Sequence, residues 1–252
     1  MRCLKLTIAY DGTTYVGWQR QPNGVSIQQL IEQAFAPLAG GEAPAVAGAG
    51  RTDAGVHAVA QVASVQLDTD LAAETIRRAL NFRLPADVRV HRVEDAPLDF
   101  HARFDAAGKI YRYRICVGAV VSPFDRCFVH HAPEARDHDA MRDAAARLVG
   151  RHDFASFQAA GGDAQDSVRT LHRLDLCARE DELVLDIEGN GFLRHMVRTI
   201  AGTLIEVGAG QRGAAAMTDI LAARDRRAAG RTAPASGLTL LRVNYAARAG
   251  PC

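Results

Sequence analysis

The chain has 252 residues, 48% hydrophobic and 23% charged, which is typical of a globular protein with enough material for a buried core. Its formal net charge of +1 gives no overall sign of a nucleic-acid partner. The N-terminus lacks the apolar stretch of a signal peptide or membrane span, and the five cysteines lack zinc-ribbon spacing, so we expect a cytoplasmic protein with no membrane association and no metal.

Alternation and periodicity predict the elements of the first half. Residues 3–9 alternate in the manner of a strand. Ser26 begins a helix, with Gln29 in the capping-box position and apolar side chains at helical spacing behind it. Strands are then predicted at 44–49, 58–67 and 88–94, with a helix at 71–83. The order is β-α-β-β-α-β, the split βαβ arrangement.

The second half repeats this pattern without a detectable sequence repeat. Its predicted elements are a strand at 109–117, a helix at 136–149, paired strands at 168–179 and 182–189, helices at 191–207 and 213–224, and a strand at 238–246. We therefore predict an α+β fold of two related split-βαβ halves, ferredoxin-like or RRM-like, with a joined antiparallel sheet and a central groove. The predicted halves are residues 1–104 and 105–252.

The sequence RTDAGVHA at residues 51–58 is the strongest candidate for a reactive segment. It places Asp53 on a tight loop between two predicted strands, with Arg51 two residues before it. A carboxylate beside an arginine tends to stay ionised, which suits a nucleophile better than a proton donor. The ordinary alternative is an aspartate that caps its own turn.

This octapeptide resembles the active-site signature of the tRNA pseudouridine synthase A family. Further segments of the family pattern occur in the expected order along nearly the whole chain, before and after the octapeptide. They are YDGTTYVGWQRQ at 10–21, LN and LP at 80–81 and 84–85, FHAR at 100–103, KIYRY at 109–113, DFASF at 153–157, GFLRHMVR at 191–198 and TAPASGL at 232–238. Two minor departures are Asp105, where the family has serine, and Tyr15, where it has phenylalanine.

The resemblance implies an RNA isomerase that converts uridine to pseudouridine at positions 38, 39 and 40 of the tRNA anticodon stem-loop. It assigns the nucleophile or base to Asp53 and implies a homodimer whose protomers jointly hold one tRNA. The reaction moves a glycosidic bond from N1 to C5, gains no atoms and involves no redox change, so it needs no cofactor.

The resemblance also assigns substrate-binding roles to several other residues. Arg51 would orient Asp53 or contact a phosphate, and Arg198 would pair with Asp53 and keep it ionised. Tyr111 would stack on the target base, and Leu238 would line the uracil pocket. Each has an ordinary alternative: a surface ion pair, a solvent-facing arginine, a half-buried strand tyrosine and a core leucine.

Trp18 and Arg20 form an aromatic and basic segment with Gln19, and we predict that they contact RNA; core packing of Trp18 is an equal alternative. The near-neutral chain also concentrates arginine at 77–92 and 224–231, and arginine suits both phosphate and base stacking. The histidines show no trustworthy metal-ligand spacing.

Two other functions remain open on the residues alone. A non-catalytic RNA-binding protein would suit the split βαβ pattern, although no strand is rich in aromatic residues. A hydrolase would need a second carboxylate to pair with Asp53, and the sequence nominates none.

Overall fold

A computed structural model of the protein describes residues 1–161 and 166–246. Within these residues the chain has five α-helices and ten mostly antiparallel β-strands. These residues form two compact units: residues 1–107 with 240–246, and the described residues between 108 and 239. The last strand therefore contributes mainly to the first unit, whereas the expected division at residues 104 and 105 assigns it to the second.

The first unit has the predicted β-α-β-β-α-β order. Its elements are β1 (Arg2–Tyr10), α1 (Ile27–Phe35), β2 (Val46–Gly48), β3 (His57–Leu67), α2 (Ala73–Arg83) and β4 (Val88–Ala96). The strand order is β4-β1-β3, with β2 also paired to β3. Strand β1 is thus central, antiparallel to both neighbours, and Leu6 lies opposite Ala63 and Val93.

Local sequence explains these elements. In β1, Leu4, Leu6 and Ile8 are fully buried because alternate side chains point to one face of the sheet. Helix α1 begins as predicted, since the Oγ of Ser26 accepts a hydrogen bond from the backbone N–H of Gln29. The helix gives way to a 3-10 turn that contains Pro37, which has no N–H to donate.

The elements from residue 106 onward are β5 (Ala106–Cys116), β6 (His130–His131), α3 (His138–Ala146), β7 (Gly150–Asp153), β8 (Val168–Arg179), β9 (Glu182–Gly189), α4 (Met196–Gly208), α5 (Ala216–Ala223) and β10 (Leu238–Tyr245). In the second unit the strand order is β5-β9-β8-β7, with the short strand β6 parallel to β5. The predicted α+β class is confirmed. Strands β6 and β7 were not predicted because each is too short to show a period.

Helix α4 begins at Met196 and not at residue 191, which corrects the prediction. His195 adopts a left-handed conformation with φ of 60°, and Leu193 accepts a hydrogen bond from Met196 in the preceding turn. Apolar spacing continues into this turn, so periodicity alone could not separate it from the helix. Within α4 the apolar residues at helical spacing form a buried stripe: Val197, Ile200, Leu204 and Val207.

None of the helices in the described part of the chain has the length and apolarity needed to cross a lipid bilayer.

Candidate active site

Asp53 lies in the loop that joins β2 to β3. The backbone N–H of Val56 donates to the carbonyl of Asp53 at 3.1 Å, and Gly55 between them has φ of 78°. A positive φ at this position of a tight turn favours glycine, which explains why the sequence has one there. The turn therefore presents Asp53 and Ala54 at its tip, where Asp53 is half-buried and Ala54 is exposed.

A second segment of the chain braces this loop through its backbone. The N–H of Trp18 donates to the carbonyl of Thr52 at 3.0 Å, and the N–H of Gly55 donates to the carbonyl of Tyr15 at 3.3 Å. Gly17 has φ of 102°, and a Cβ there would lie 2.5 Å from the carbonyl oxygen of Thr52. The close approach of the two segments thus depends on glycine at position 17.

A buried polar network lies beneath the loop. The hydroxyl of Tyr10 lies 2.9 Å from the Oγ1 of Thr52. The side-chain amide of Gln61 donates to the carbonyl of Gly50 at 2.9 Å and lies 3.5 Å from the Tyr10 hydroxyl. All three side chains are buried. Thr52, which immediately precedes Asp53, is therefore hydrogen-bonded to a side chain in the interior of the unit.

The end of β1 also contacts the far side of the loop. The Nδ1 of the buried His57 lies 3.0 Å from the backbone N of Gly12 and 3.1 Å from the Oδ1 of Asp11. Nδ1 can accept from Gly12 when unprotonated or donate to Asp11 when protonated. Partial burial raises the pKa of Asp11, but hydrogen bonds from Thr13 and the nearby His57 outweigh it and hold that pKa below its usual value.

The two predicted arginines near the loop lie at the surface. The Nε of Arg51 donates to the side-chain oxygen of Gln19 at 3.1 Å. Arg20 forms a 3.4 Å ion pair with Glu32, whose side chain is nearly buried. Both arginines are exposed.

Trp18 packs in the core, which was one of its two predicted roles. Its side chain is 2% exposed, and a Cβ on Gly48 would overlap the indole ring. The ring also lies 6.3 Å from that of Tyr10. The buried Trp18 therefore supports the loop through its packing and through its backbone bond to Thr52.

Tyr111 lies on β5 in the second unit. Its ring is 7% exposed and meets the ring of Phe192 edge to face, with the centroids 5.1 Å apart. Tyr113 lies two residues further along β5, is fully buried, and donates its hydroxyl to the carbonyl of Pro234 at 2.8 Å. Burial raises the pKa of Tyr113 well above its usual value.

Arg198 lies in the first turn of α4 and binds the segment before β10. Its Nε donates to the carbonyl of Ala233 at 2.8 Å, and the N–H of Ala233 donates to the carbonyl of Arg198 at 3.0 Å. Leu238 is buried at the start of β10, after a 3-10 turn at Ala235–Gly237. Helix α4 therefore anchors the chain that leads to Leu238.

The arginine cluster at 224–231 is held largely in ion pairs. Arg224 pairs with Asp153 at 3.0 Å, Arg227 with Asp225 at 2.7 Å, and Arg231 with Glu134 at 2.9 Å. These acidic partners reduce the local positive charge that the sequence alone indicates.

Sequence reasoning missed Tyr10, Gln61 and His57 as residues that shape the loop. Tyr10 and Thr52 are 42 residues apart in the chain, and alternation predicts only that Tyr10 is buried. The sequence does give one signal for two of these residues. Tyr10 is the first residue of the family segment at 10–21, and His57 lies inside the octapeptide at 51–58.

No group of three or more histidine, cysteine, aspartate or glutamate side chains is gathered in a metal-binding arrangement within residues 1–161 and 166–246.

Comparison with known proteins agrees with the resemblance seen in the sequence. Residues 6–105 and 144–246 match a family described as tRNA pseudouridine synthase. A tRNA pseudouridine synthase A of Geobacter sp. (strain M21) is 45% identical over 246 residues, which cover 97% of this chain and 99% of that protein. The protein of the same name from Syntrophotalea carbinolica is 47% identical over 246 residues, covering 98% of this chain and 97% of that protein.

Among solved structures, the crystal structure of a Cbf5-Nop10-Gar1 complex aligns with 94% of this chain and 48% of the matched chain, at 11% identity and a TM-score of 0.38. That score is too low to support an inference. The near-full-length sequence relatives and the matched family are decisive: the chain belongs to the tRNA pseudouridine synthase family, and is therefore an isomerase of the kind that converts uridine to pseudouridine in tRNA.

Proposed function

We propose that this protein converts uridine to pseudouridine at positions 38, 39 and 40 of the tRNA anticodon stem-loop, with Asp53 as the nucleophile or base and without a cofactor. The observation that carries this proposal is the Asp53 turn, which presents the carboxylate while its neighbours are held on both flanks. Thr52 is bonded to Trp18 through its backbone and lies within hydrogen-bond distance of Tyr10 through its side chain. Such preorganisation is what a reactive side chain on a loop needs.

The chemistry is compatible with a carboxylate as the main reactive group. The bond between ribose C1′ and uracil N1 breaks, a bond between C1′ and C5 forms, C5 loses a proton and N1 gains one. Atoms and electrons balance without an oxidant or reductant. Asp53 could begin the reaction by attack on the ribose, by attack on the uracil or by removal of a ribose proton, and each of these steps uses the ionised carboxylate.

The remaining proposed roles concern the target base and its phosphates. Tyr111 would stack on the uracil and offer its hydroxyl to a proton transfer, and Leu238 would form an apolar wall of the uracil pocket. Arg198 would pair with the carboxylate of Asp53. Arg51 and Arg20 would contact phosphates, and the Arg20 side chain remains 59% exposed while it pairs with Glu32.

We further propose that the target uridine leaves the base stack on binding, since a stacked base in duplex RNA hides its edges. The family resemblance supports a homodimer in which both protomers hold one tRNA. A reducing cytoplasm is consistent with the free thiols of Cys3, Cys116, Cys127 and Cys177.

One experiment tests the activity and its alternatives together. Purified protein is incubated with an unmodified tRNA transcript, and pseudouridine is mapped by chemical labelling. We expect pseudouridine at positions 38 to 40 in full-length RNA. Modification elsewhere would refute the proposed positions, binding without modification would indicate a non-catalytic RNA-binding protein, and released uracil or cleaved RNA would indicate a hydrolase. Light scattering of the same sample tests the homodimer.

A further inference from the structure

The buried contact between Tyr10 and Thr52 belongs to a longer chain of hydrogen-bonded side chains. The amide nitrogen of Gln61 is a donor and points at the Tyr10 oxygen at 3.5 Å. The Tyr10 oxygen thus accepts on that side, and it lies 2.9 Å from the Oγ1 of Thr52, where either hydroxyl can donate. Gln61 in turn donates to the carbonyl of Gly50 at 2.9 Å. The three buried side chains form a chain of hydrogen bonds that ends on the loop.

Thr52 is consequently held at two points. Its backbone carbonyl accepts from Trp18 at 3.0 Å, and its side-chain hydroxyl is hydrogen-bonded to that of Tyr10 at 2.9 Å. Two anchors on one residue restrict its backbone rotation as well as its position. Since Asp53 follows Thr52 directly, these anchors also restrict where the Asp53 carboxylate can point.

We propose that Tyr10 is a positioning residue for catalysis, which aims the Asp53 carboxylate through its hydrogen bond to Thr52. The inference rests on the proposed catalytic role of Asp53. A displacement of a reacting group by about 1 Å can lower a rate on the order of 100-fold, so a single buried hydrogen bond next to that group can affect turnover strongly.

The Tyr10 hydroxyl is suited to positioning and not to proton transfer. Burial raises the pKa of Tyr10 to about 12, because this effect is larger than the opposite effect of the hydrogen bonds with Thr52 and Gln61. It therefore stays protonated across the pH range of an ordinary assay. Loss of this hydroxyl should change the magnitude of the rate and leave the shape of its pH profile unchanged.

The test compares Tyr10→Phe, Thr52→Val and the double variant with two controls. Thr52→Ser keeps the hydroxyl that bonds Tyr10, so it should retain activity. Tyr245→Phe removes another tyrosine hydroxyl bond of the same unit, from Tyr245 to the carbonyl of Ala102 at 2.7 Å. It measures the effect of losing such a bond at a site that does not contact the loop. Single-turnover rate, tRNA affinity and thermal unfolding are measured for each variant.

We expect Tyr10→Phe and Thr52→Val each to lower the single-turnover rate about tenfold or more, with tRNA Kd within about twofold of wild type. The double variant should be no worse than the poorer single variant, because both changes remove the same bond. Thr52→Ser and Tyr245→Phe should react within about threefold of wild type, although Tyr245→Phe should lose as much thermal stability as Tyr10→Phe.

Four results would each overturn the proposal: a wild-type rate for Tyr10→Phe, additive rate losses in the double variant, an equal rate loss in Tyr245→Phe, or an altered pH profile in Tyr10→Phe. Asp53→Asn, measured in parallel, separates this inference from the proposed function. An inactive Asp53→Asn with a fully active Tyr10→Phe refutes the positioning role alone, whereas an active Asp53→Asn refutes the role of Asp53 itself.

Discussion

Arg198 and Ala233 hold each other through two hydrogen bonds that run in opposite directions. The Nε of Arg198 donates to the carbonyl of Ala233 at 2.8 Å, while the N–H of Ala233 donates to the carbonyl of Arg198 at 3.0 Å. The bond through Nε aims the guanidinium, because the planar group rotates as a unit. The guanidinium of Arg198 is thus oriented by a neighbouring backbone carbonyl.

Arg198→Lys should keep the positive charge and lose the oriented fork. We expect a modest loss of stability, about 1 kcal/mol for the bond to Ala233, and a single-turnover rate at least tenfold lower. Arg194→Lys is the matched control, since Arg194 binds the carbonyl of Ala160 from the turn that precedes α4. Equal activity of the two variants would show that charge alone suffices at position 198.

Asp53→Asn should abolish pseudouridine formation while folding and tRNA binding stay close to wild type. The turn bond from Val56 uses the backbone carbonyl of Asp53, so the substitution leaves it in place. Binding should persist because most of its energy would come from phosphate contacts spread over the RNA. Loss of thermal stability together with binding would instead identify Asp53 as a structural cap of the turn.

Tyr111→Phe should bind tRNA normally and turn over much more slowly. The phenyl ring retains the edge-to-face contact with Phe192 and the ability to stack on a base, so only the hydroxyl is lost. Tyr113→Phe provides the control on the same strand, because its hydroxyl bonds the carbonyl of Pro234. That control should lose stability and keep its rate, and a wild-type rate for Tyr111→Phe would exclude a chemical role for the hydroxyl.

Gly12→Ala should destabilise the protein, because the added Cβ would overlap the backbone carbonyl of Val56. The backbone at Gly12 and Val56 can separate only if the loop shifts. We therefore expect the free energy of unfolding to fall by about 1–3 kcal/mol and the rate of pseudouridine formation to be lower. Gly213→Ala adds a methyl group where no atom lies within 4 Å and should be neutral. Chemical denaturation of both variants measures the difference.

tRNA binding should weaken steeply with salt despite the near-zero net charge, since each phosphate contact releases counterions. Arg227 is the natural probe of the cluster at 224–231, with a side chain 91% exposed and paired only locally with Asp225. If the cluster contacts RNA, Arg227→Glu should reduce the slope of log affinity against log salt by about one. Arg147→Glu, which breaks a similar pair with Asp143, is the control. Equal slopes for both variants would remove the cluster from the RNA footprint.

The sequence alone determined the α+β class, the order of the main elements and the segment that carries Asp53. These follow from local physics: alternation in β1, the Ser26 cap of α1, and the turn residues around Asp53 act between neighbours in the chain. Because these patterns are local, they could not predict the start of α4 or the presence of β7. Helix α4 was extended to residue 191 because an apolar turn and an apolar helix share one pattern, and β7 was missed because four residues show no period.

Only the tertiary structure decided which distant side chains meet at the loop. Burial of Tyr10 follows from alternation, but its hydroxyl finds Thr52 because β1 and β3 pair antiparallel in one particular register. Trp18 could have faced RNA or the core, and the absence of a side chain on Gly48 gave its ring a place to pack. Arg224 and Arg231 pair with Asp153 and Glu134, which reach them from elsewhere in the chain. Pairings of this kind depend on three-dimensional proximity, which neither composition nor spacing encodes.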